Sequence, residues 1–211
     1  MMRLISATPS PYARKVRIAL VEKAIPFELL TEVPWDSDTS LPRYNPLEKL
    51  PVLILEDGST VYESSYILEW LERKYPTPAL MPRDDDGWLA ARKCLVLADG
   101  ICDAFLLVFF ERRRPETHQS VPWVARQMRK VDGGLAEMAR VVGDREHAIA
   151  NRFTLADVGF GAVLGYFDVR FPELDWRGRH PSLEQYFGAL SQRQSFRDTL
   201  PYPQTIRDAV V

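Results

Sequence analysis

Tyr44-Asn45-Pro46-Leu47-Glu48-Lys49-Leu50-Pro51-Val52-Leu53-Ile54-Leu55-Glu56-Asp57-Gly58-Ser59-Thr60-Val61-Tyr62-Glu63-Ser64-Ser65 is the stretch on which the reading of this chain turns. Pro51 cannot donate to a sheet ladder, so it belongs at the first residue of a strand. The run behind it is apolar and rich in β-formers, and Asp57-Gly58 is a hairpin turn signal. Val52 to Leu55 and Thr60 to Tyr62 should therefore pair antiparallel. Glu63-Ser64-Ser65 then offers N-cap hydroxyls to a helix whose apolar side is Ile67, Leu68 and Leu71. A backbone edge, an acidic side chain and a helix N-terminus fall within a few residues of one another. Such a site suits a small zwitterion with a peptide backbone.

Upstream, Arg3 to Ala7 reads as a short strand and Ala13 to Lys23 as a helix with Val16, Ala19 and Leu20 on one side. Ser10 stands at its cap position and Pro11 at the first helical position. Ile25 to Leu30 looks like a second strand, and Pro34 to Arg43 has no clear period. The order is strand, helix, strand, loop, strand, strand, helix. It forms a small α/β layer with a parallel first pair and an antiparallel second pair, matching a thioredoxin-like arrangement.

Downstream, Tyr75-Pro76-Thr77-Pro78-Ala79-Leu80-Met81-Pro82-Arg83-Asp84-Asp85-Asp86-Gly87 breaks both periods. Its prolines and aspartates predict a linker over 77–87 between a domain at 1–76 and an all-helical domain at 88–211. Trp88 to Arg114 reads as one long helix. Val124, Met128, Val131, Leu135, Met138 and Val142 form an amphipathic seam, which Gly133-Gly134 should weaken or bend. At Phe153-Thr154-Leu155-Ala156-Asp157-Val158 a capping box and a hydrophobic staple coincide at a helix start. Gly159, Gly161 and Gly165 follow inside that helix. With no strand before them they read as close helix packing rather than a dinucleotide fingerprint. Ser182 to Arg193 is a further helix, and the tail from Pro201 should lie on the surface.

The 211 residues are 46% apolar and 27% charged, with net charge −2. This composition carries no basic excess for nucleic acid or an anionic membrane surface. No apolar run approaches the roughly 18 residues of a spanning helix, and the N-terminal residues lack a signal-peptide stretch. Cys94 and Cys102 lie eight residues apart on one helix, about 12 Å along its axis, too far to bridge. Buried free thiols fit a reducing cytoplasm. His118, His147 and His180 are scattered, so no metal site is expected.

Ser10-Pro11-Tyr12-Ala13-Arg14-Lys15-Val16-Arg17, Asn45 to Leu53, Tyr62-Glu63-Ser64 and Phe153 to Asp157 together resemble the cytosolic glutathione S-transferases. The resemblance runs along essentially the whole chain, and is nearest to the bacterial theta-, zeta- or omega-like members. It implies a thioredoxin-like N-terminal domain (βαβ-ββα), an all-α C-terminal domain, a homodimer and glutathione in the cleft between domains. Glutathione is then a co-substrate, with no other cofactor, and the second partner is a small hydrophobic electrophile. Addition to that electrophile, peroxide chemistry and isomerisation all fall within the family. So does use of the fold as a non-catalytic binding or regulatory protein.

By the same resemblance Pro51 matches the family's cis-proline, and the Leu50 backbone pairs with the cysteinyl unit of glutathione. Glu63 and Ser64 match the pair that grips the γ-glutamyl end, where a helix N-terminus favours a carboxylate. Lys49 is placed near the glycyl carboxylate. Ser10 occupies the catalytic position, where a hydroxyl can donate to the glutathione sulfur and hold a thiolate. Taken alone Ser10 reads as a plain N-cap, and only the company of Pro51 and Glu63-Ser64 lifts the catalytic reading above that; Thr8 and Tyr12 are rival hydroxyls. Because position 10 is not Cys, glutaredoxin-like thiol–disulfide exchange is disfavoured. Trp35, Phe105 and Phe109 are expected to wall the electrophile pocket. Asp99 faces either the cleft or the partner subunit.

Overall fold

The four strands read from the sequence close into one sheet in the computed structural model, which describes residues 1–210. β1 (Met2–Ser6) lies between parallel β2 (Phe27–Thr31) and antiparallel β3 (Val52–Ile54). β4 (Thr60–Val61) pairs antiparallel with β3 at the far edge. Strand alternation divides the apolar residues between the two faces. Met2, Leu4, Leu53 and Val61 join the main core with α1 (Pro11–Glu22) and α2 (Ser64–Lys74). Ile5, Val52 and Ile54 face the other way and pack with Leu41. In the β3–β4 turn Gly58 has φ +85°, a conformation glycine adopts without strain. The Leu50–Pro51 peptide is cis.

Ser10 caps α1 as its position suggests, its Oγ accepting from the Ala13 amide at 3.2 Å. At α2 the structure corrects the expectation of a serine cap. Glu63 is the N-cap, and its Oε1 accepts from the Ser65 amide at 3.1 Å while Ser64 becomes the first helical residue. A carboxylate makes the same bond as a hydroxyl and adds a favourable charge against the helix dipole.

The long helix expected from Trp88 begins earlier. α3 (Asp85–Glu111) starts inside the aspartate run, with Asp84 as its cap accepting from the Gly87 amide at 2.7 Å. Acidic side chains favour a helix N-terminus, so three aspartates start this helix instead of excluding it. The segment ahead of it is docked. Glu72 accepts from the Leu80 and Met81 amides, and the Lys23 ammonium donates to the carbonyls of Tyr75 at 2.7 Å and Pro78 at 2.8 Å.

α4 (Val121–Val142) runs unbroken through Gly133-Gly134 and packs on α3. Gly134 is what allows that approach, because a Cβ there would overlap the Ile101 side chain. α5 (Leu155–Arg170) is buried on all sides from Leu155 to Phe167. Its capping box is present, with the Thr154 amide donating to Asp157 Oδ2 at 2.7 Å. Asp157 also accepts from the Ala148 amide and the Tyr186 hydroxyl, so this buried carboxylate ties three segments together. The glycines of α5 serve packing: a Cβ at Gly161 would overlap the Phe196 ring, and one at Gly165 would overlap Arg14 Nη1. Through Arg14 the helical domain seats on α1, which brings the N-terminus of α1 beside the C-terminal half of α3. Three short helices, α6 (Trp176–Arg179), α7 (Pro181–Leu190) and α8 (Gln194–Arg197), complete the domain. No described helix is long and apolar enough to cross a membrane.

Candidate functional site

Where the two domains meet, the N-terminus of α1, the loop ahead of β3 and the N-terminus of α2 open on a single cavity of about 380 Å³. Ser10, Lys49, Leu50, Glu63 and Ser64 all line it. Pro51 stands directly behind Leu50, buried at the head of β3. These residues come from three separate pieces of sequence, and the sheet brings them to one rim.

Hydrogen bonding separates the candidate hydroxyls. The Thr8 hydroxyl donates to the Tyr202 carbonyl at 3.1 Å and Thr8 is buried outside the cavity. The Tyr12 hydroxyl reaches the cavity but is bonded to Asp103. Burial, with Cys102 and the carboxylates of Asp103 and Asp99, pushes the Tyr12 pKa far above the ordinary phenol value, so it stays protonated. Ser10 Oγ accepts one bond from Ala13, and a hydroxyl that accepts still has its own hydrogen to give. The oxygen sits at the α1 N-terminus, where backbone amides favour negative charge.

Glu63 spreads its two oxygens over Ser65 N at 3.1 Å and the Ser64 hydroxyl at 3.2 Å. Lone pairs on both remain for a cation. Asp99 lies in the cleft: its Oδ1 pairs with the buried Lys15 ammonium, and its Oδ2 accepts from Ser65 Oγ at 3.2 Å. It locks α1, α2 and α3 together beneath the site.

The remaining wall is apolar and aromatic: Val33, Trp35, Leu106, Phe109 and Tyr166. Trp35 stands edge-on to Phe110, ring centroids 4.3 Å apart. Of the expected aromatics Trp35 and Phe109 are in the cavity, and Phe105 is not. Phe105 is fully buried in the core between Phe167 at 4.4 Å and Phe171 at 4.2 Å. One helical turn later α5 has ended, and Phe109 is covered by the Arg170 guanidinium at 4.7 Å in place of another ring.

Tyr166, Arg170, Gln204 and Ile206 escaped sequence reading. Tyr166 and Arg170 belong to α5, whose apolar residues go all the way round and signal no exposed side. Gln204 and Ile206 belong to the C-terminal tail, which returns across the sheet domain. The Gln204 amide donates to the Glu32 carbonyl at 3.3 Å and Arg207 Nε to Asp36 at 2.7 Å. Asp36, itself buried, is the one signal that something cationic had to cover it. A smaller hollow of about 250 Å³ between α2 and α3, lined by Tyr66, Trp70 and Trp88, contains none of the candidate residues.

Cys94 and Cys102 are buried free thiols, as expected. Burial pushes Cys94 up to about 11 and Cys102 well above its ordinary value, so both are protonated and unreactive at neutral pH.

Comparison with known proteins agrees with this architecture. The sequence profile of the glutathione S-transferase N-terminal domain matches residues 9–74, and that of the C-terminal domain matches residues 121–189. An uncharacterized GST-like protein of Escherichia coli strain K12, YibF, is 34% identical over 200 residues, 95% of this chain and 98% of its own. The crystal structure of a glutathione S-transferase from Methylobacterium radiotolerans, in complex with glutathione sulfonate, is 65% identical. It superposes with a TM-score of 0.98 over 100% of this chain and 99% of that one. A glutathione S-transferase from Methylobacillus flagellatus with glutathione bound is 38% identical, with a TM-score of 0.92 over 95% of this chain and 100% of that one.

Proposed function

This chain belongs to the glutathione S-transferase family, and we propose that it binds glutathione in the inter-domain cavity and turns its thiolate on a small electrophile seated on the aromatic wall. One observation carries the reading: Ser10, Lys49, Leu50, Glu63 and Ser64, from three separate segments, line the same cavity as Trp35 and Phe109. Glutathione sulfonate bound in one similar protein and glutathione bound in another support it.

Each glutathione group then has a complement. The Leu50 amide and carbonyl pair with the cysteinyl unit as a neighbouring strand would. The γ-glutamyl carboxylate sits at the α2 N-terminus, with the Ser64 hydroxyl turning from Glu63 to donate to it, and its ammonium takes the lone pairs left on Glu63. Lys49 answers the glycyl carboxylate. The sulfur rests at the α1 N-terminus, where the Ser10 hydroxyl donates to it. A thiol of pKa about 8.5 ionises more readily there because both the hydrogen bond and the helix dipole favour the anion. The chain's own part is positional and electrostatic: it holds the anion beside an electrophile desolvated against Trp35, Leu106 and Phe109.

Ser10→Ala tests this directly. Turnover of an aryl halide, corrected for folded fraction, should fall roughly 100-fold, the usual effect of deleting one donor to a developing or stabilised anion. Glutathione affinity by titration calorimetry should change far less. Wild-type turnover in the variant removes Ser10 from the chemistry. Glutathione binding without turnover across a panel of electrophiles would place the chain among binding modules, and failure to bind glutathione at all would overturn the site.

A further inference from the structure

On the second-substrate wall one side chain carries an uncommitted charge. Arg170, the last residue of α5, lines the cavity and stacks on the Phe109 ring at 4.7 Å. The cavity's carboxylates on α3 are already committed, Asp99 to Lys15 and Asp103 to the Tyr12 hydroxyl. Glu48, Lys49 and Glu63 lie on the side given to glutathione. Among the described residues Arg170 has neither an ion pair nor a side-chain hydrogen bond; Tyr166 beside it is kept protonated by its own burial, so the charge left acting on it is a second guanidinium, Arg113. Arg113 approaches the same ring at 5.4 Å, and it too has no carboxylate partner among the described residues. The flanking arginines differ, since Arg112 pairs with Glu173 and Arg114 with Glu111.

Two guanidiniums held on one aromatic ring, one of them half-buried, repel each other and lose solvation. Burial is what chiefly pushes the Arg170 value down, with Tyr166 opposing and Arg113 adding to it. A paired acid would have relieved this, and among the described residues neither guanidinium has one. What the chain does offer is a planar five-donor fork, fixed in orientation by stacking, at the edge of the electrophile pocket. Such a fork matches a carboxylate in two parallel bonds.

Resting on the glutathione reading above, we infer that the preferred second substrate is a small electrophile bearing a carboxylate, which Arg170 receives with Arg113 reinforcing the field. The hydrophobic part lies on Phe109 and Trp35, and the carboxylate points at the α5 C-terminus.

The test uses stable glutathione conjugates, so that binding is read without chemistry. S-carboxymethyl- and S-(3-carboxypropyl)glutathione are compared by titration calorimetry with their own primary amides, and with glutathione as control. The wild-type chain should bind at least one carboxylate conjugate roughly 10- to 100-fold more tightly than its amide, the scale of a charged hydrogen-bond pair. That ratio should collapse to near parity in Arg170→Met and survive in part in Arg170→Lys. It should also shrink as salt is added. Equal binding of acid and amide at both lengths in the wild type overturns the inference while leaving the glutathione site intact. A preference retained in Arg170→Met removes Arg170 from it. Absence of glutathione binding in the wild type would overturn both readings together.

Discussion

Ser10 has a structural duty as a cap and, in the proposed function, a chemical one on the same oxygen, and the two are separable. As a cap it accepts from Ala13, a bond whose loss in Ser10→Ala costs about 0.5–2 kcal/mol of stability. As a donor it would act on sulfur, so kinetic loss must be read on folded protein. The buried thiols give a second residue-scale prediction. In the folded chain Cys94 is held up to about 11 and Cys102 is raised, both by burial first. The unfolded thiols ionise near 9.0, so below that pH both states are protonated and stability is full. Above it the unfolded chain sheds protons that the folded chain keeps, and stability falls as pH climbs toward the folded values, by up to about 1.4 kcal/mol per unit for each thiol. Tyr12, Tyr166 and Tyr186, raised by the same desolvation, steepen the decline at higher pH. Urea midpoints measured from neutral pH to the alkaline range should drop along this course, less steeply in Cys94→Ala. A flat profile would mean that the thiols ionise alike in both states.

At the scale of elements, sequence signals worked wherever the determining contacts are local. Asp57-Gly58 makes its own turn, Ser10-Pro11 starts its own helix, and Thr154 with Asp157 closes its own box. They failed where a neighbouring element decides. Gly133-Gly134 reads as a weak point, yet α4 passes through it intact because the helix is fixed by its packing on α3. The two glycines therefore have opposite predicted behaviour. A methyl group added at Gly133 would meet only open space, so Gly133→Ala should stabilise by about 0.5–1 kcal/mol through helix propensity and the unfolded state. Gly134→Ala drives its methyl into Ile101 and should destabilise by about 1–3 kcal/mol. Chemical denaturation of both variants checks the pair. If Gly134→Ala matched Gly133→Ala, the α3–α4 contact would be looser than its geometry states. The double variant Gly134→Ala with Ile101→Val should recover part of the loss.

At the scale of the whole molecule, the two halves of the cleft differ in how they are encoded. The rim of Leu50, Glu63 and Ser64 is built from backbone and helix termini within one short stretch, so residue order alone brings it together. The other wall draws on residues 33–35, 102–109, 166–170 and 204–206, which only tertiary packing brings into one place. Periodicity cannot separate Phe105 from Phe109, since they lie on the same side of α3 and differ only in whether α5 still covers them. The tail was the least legible part: no period marks it, and its role depends on Asp36, Ser37 and Glu32 waiting on the sheet domain. It adds Gln204 and Ile206 to the cavity and is held chiefly through Arg207, whose side chain is 62% exposed. Exposed pairs of this kind are weak and screened by salt. Ending the chain after Tyr202 keeps the Thr8–Tyr202 bond but removes that wall. The KM for the second substrate should then rise roughly 5- to 30-fold, for about 1–2 kcal/mol of lost contact and ordering. Glutathione affinity should move much less, because its side of the cavity is untouched. Raising the salt concentration should increase that KM in the full chain and leave the shortened one nearly insensitive. Equal kinetics for the two chains would show that the tail lies on the cavity without contributing to what it binds.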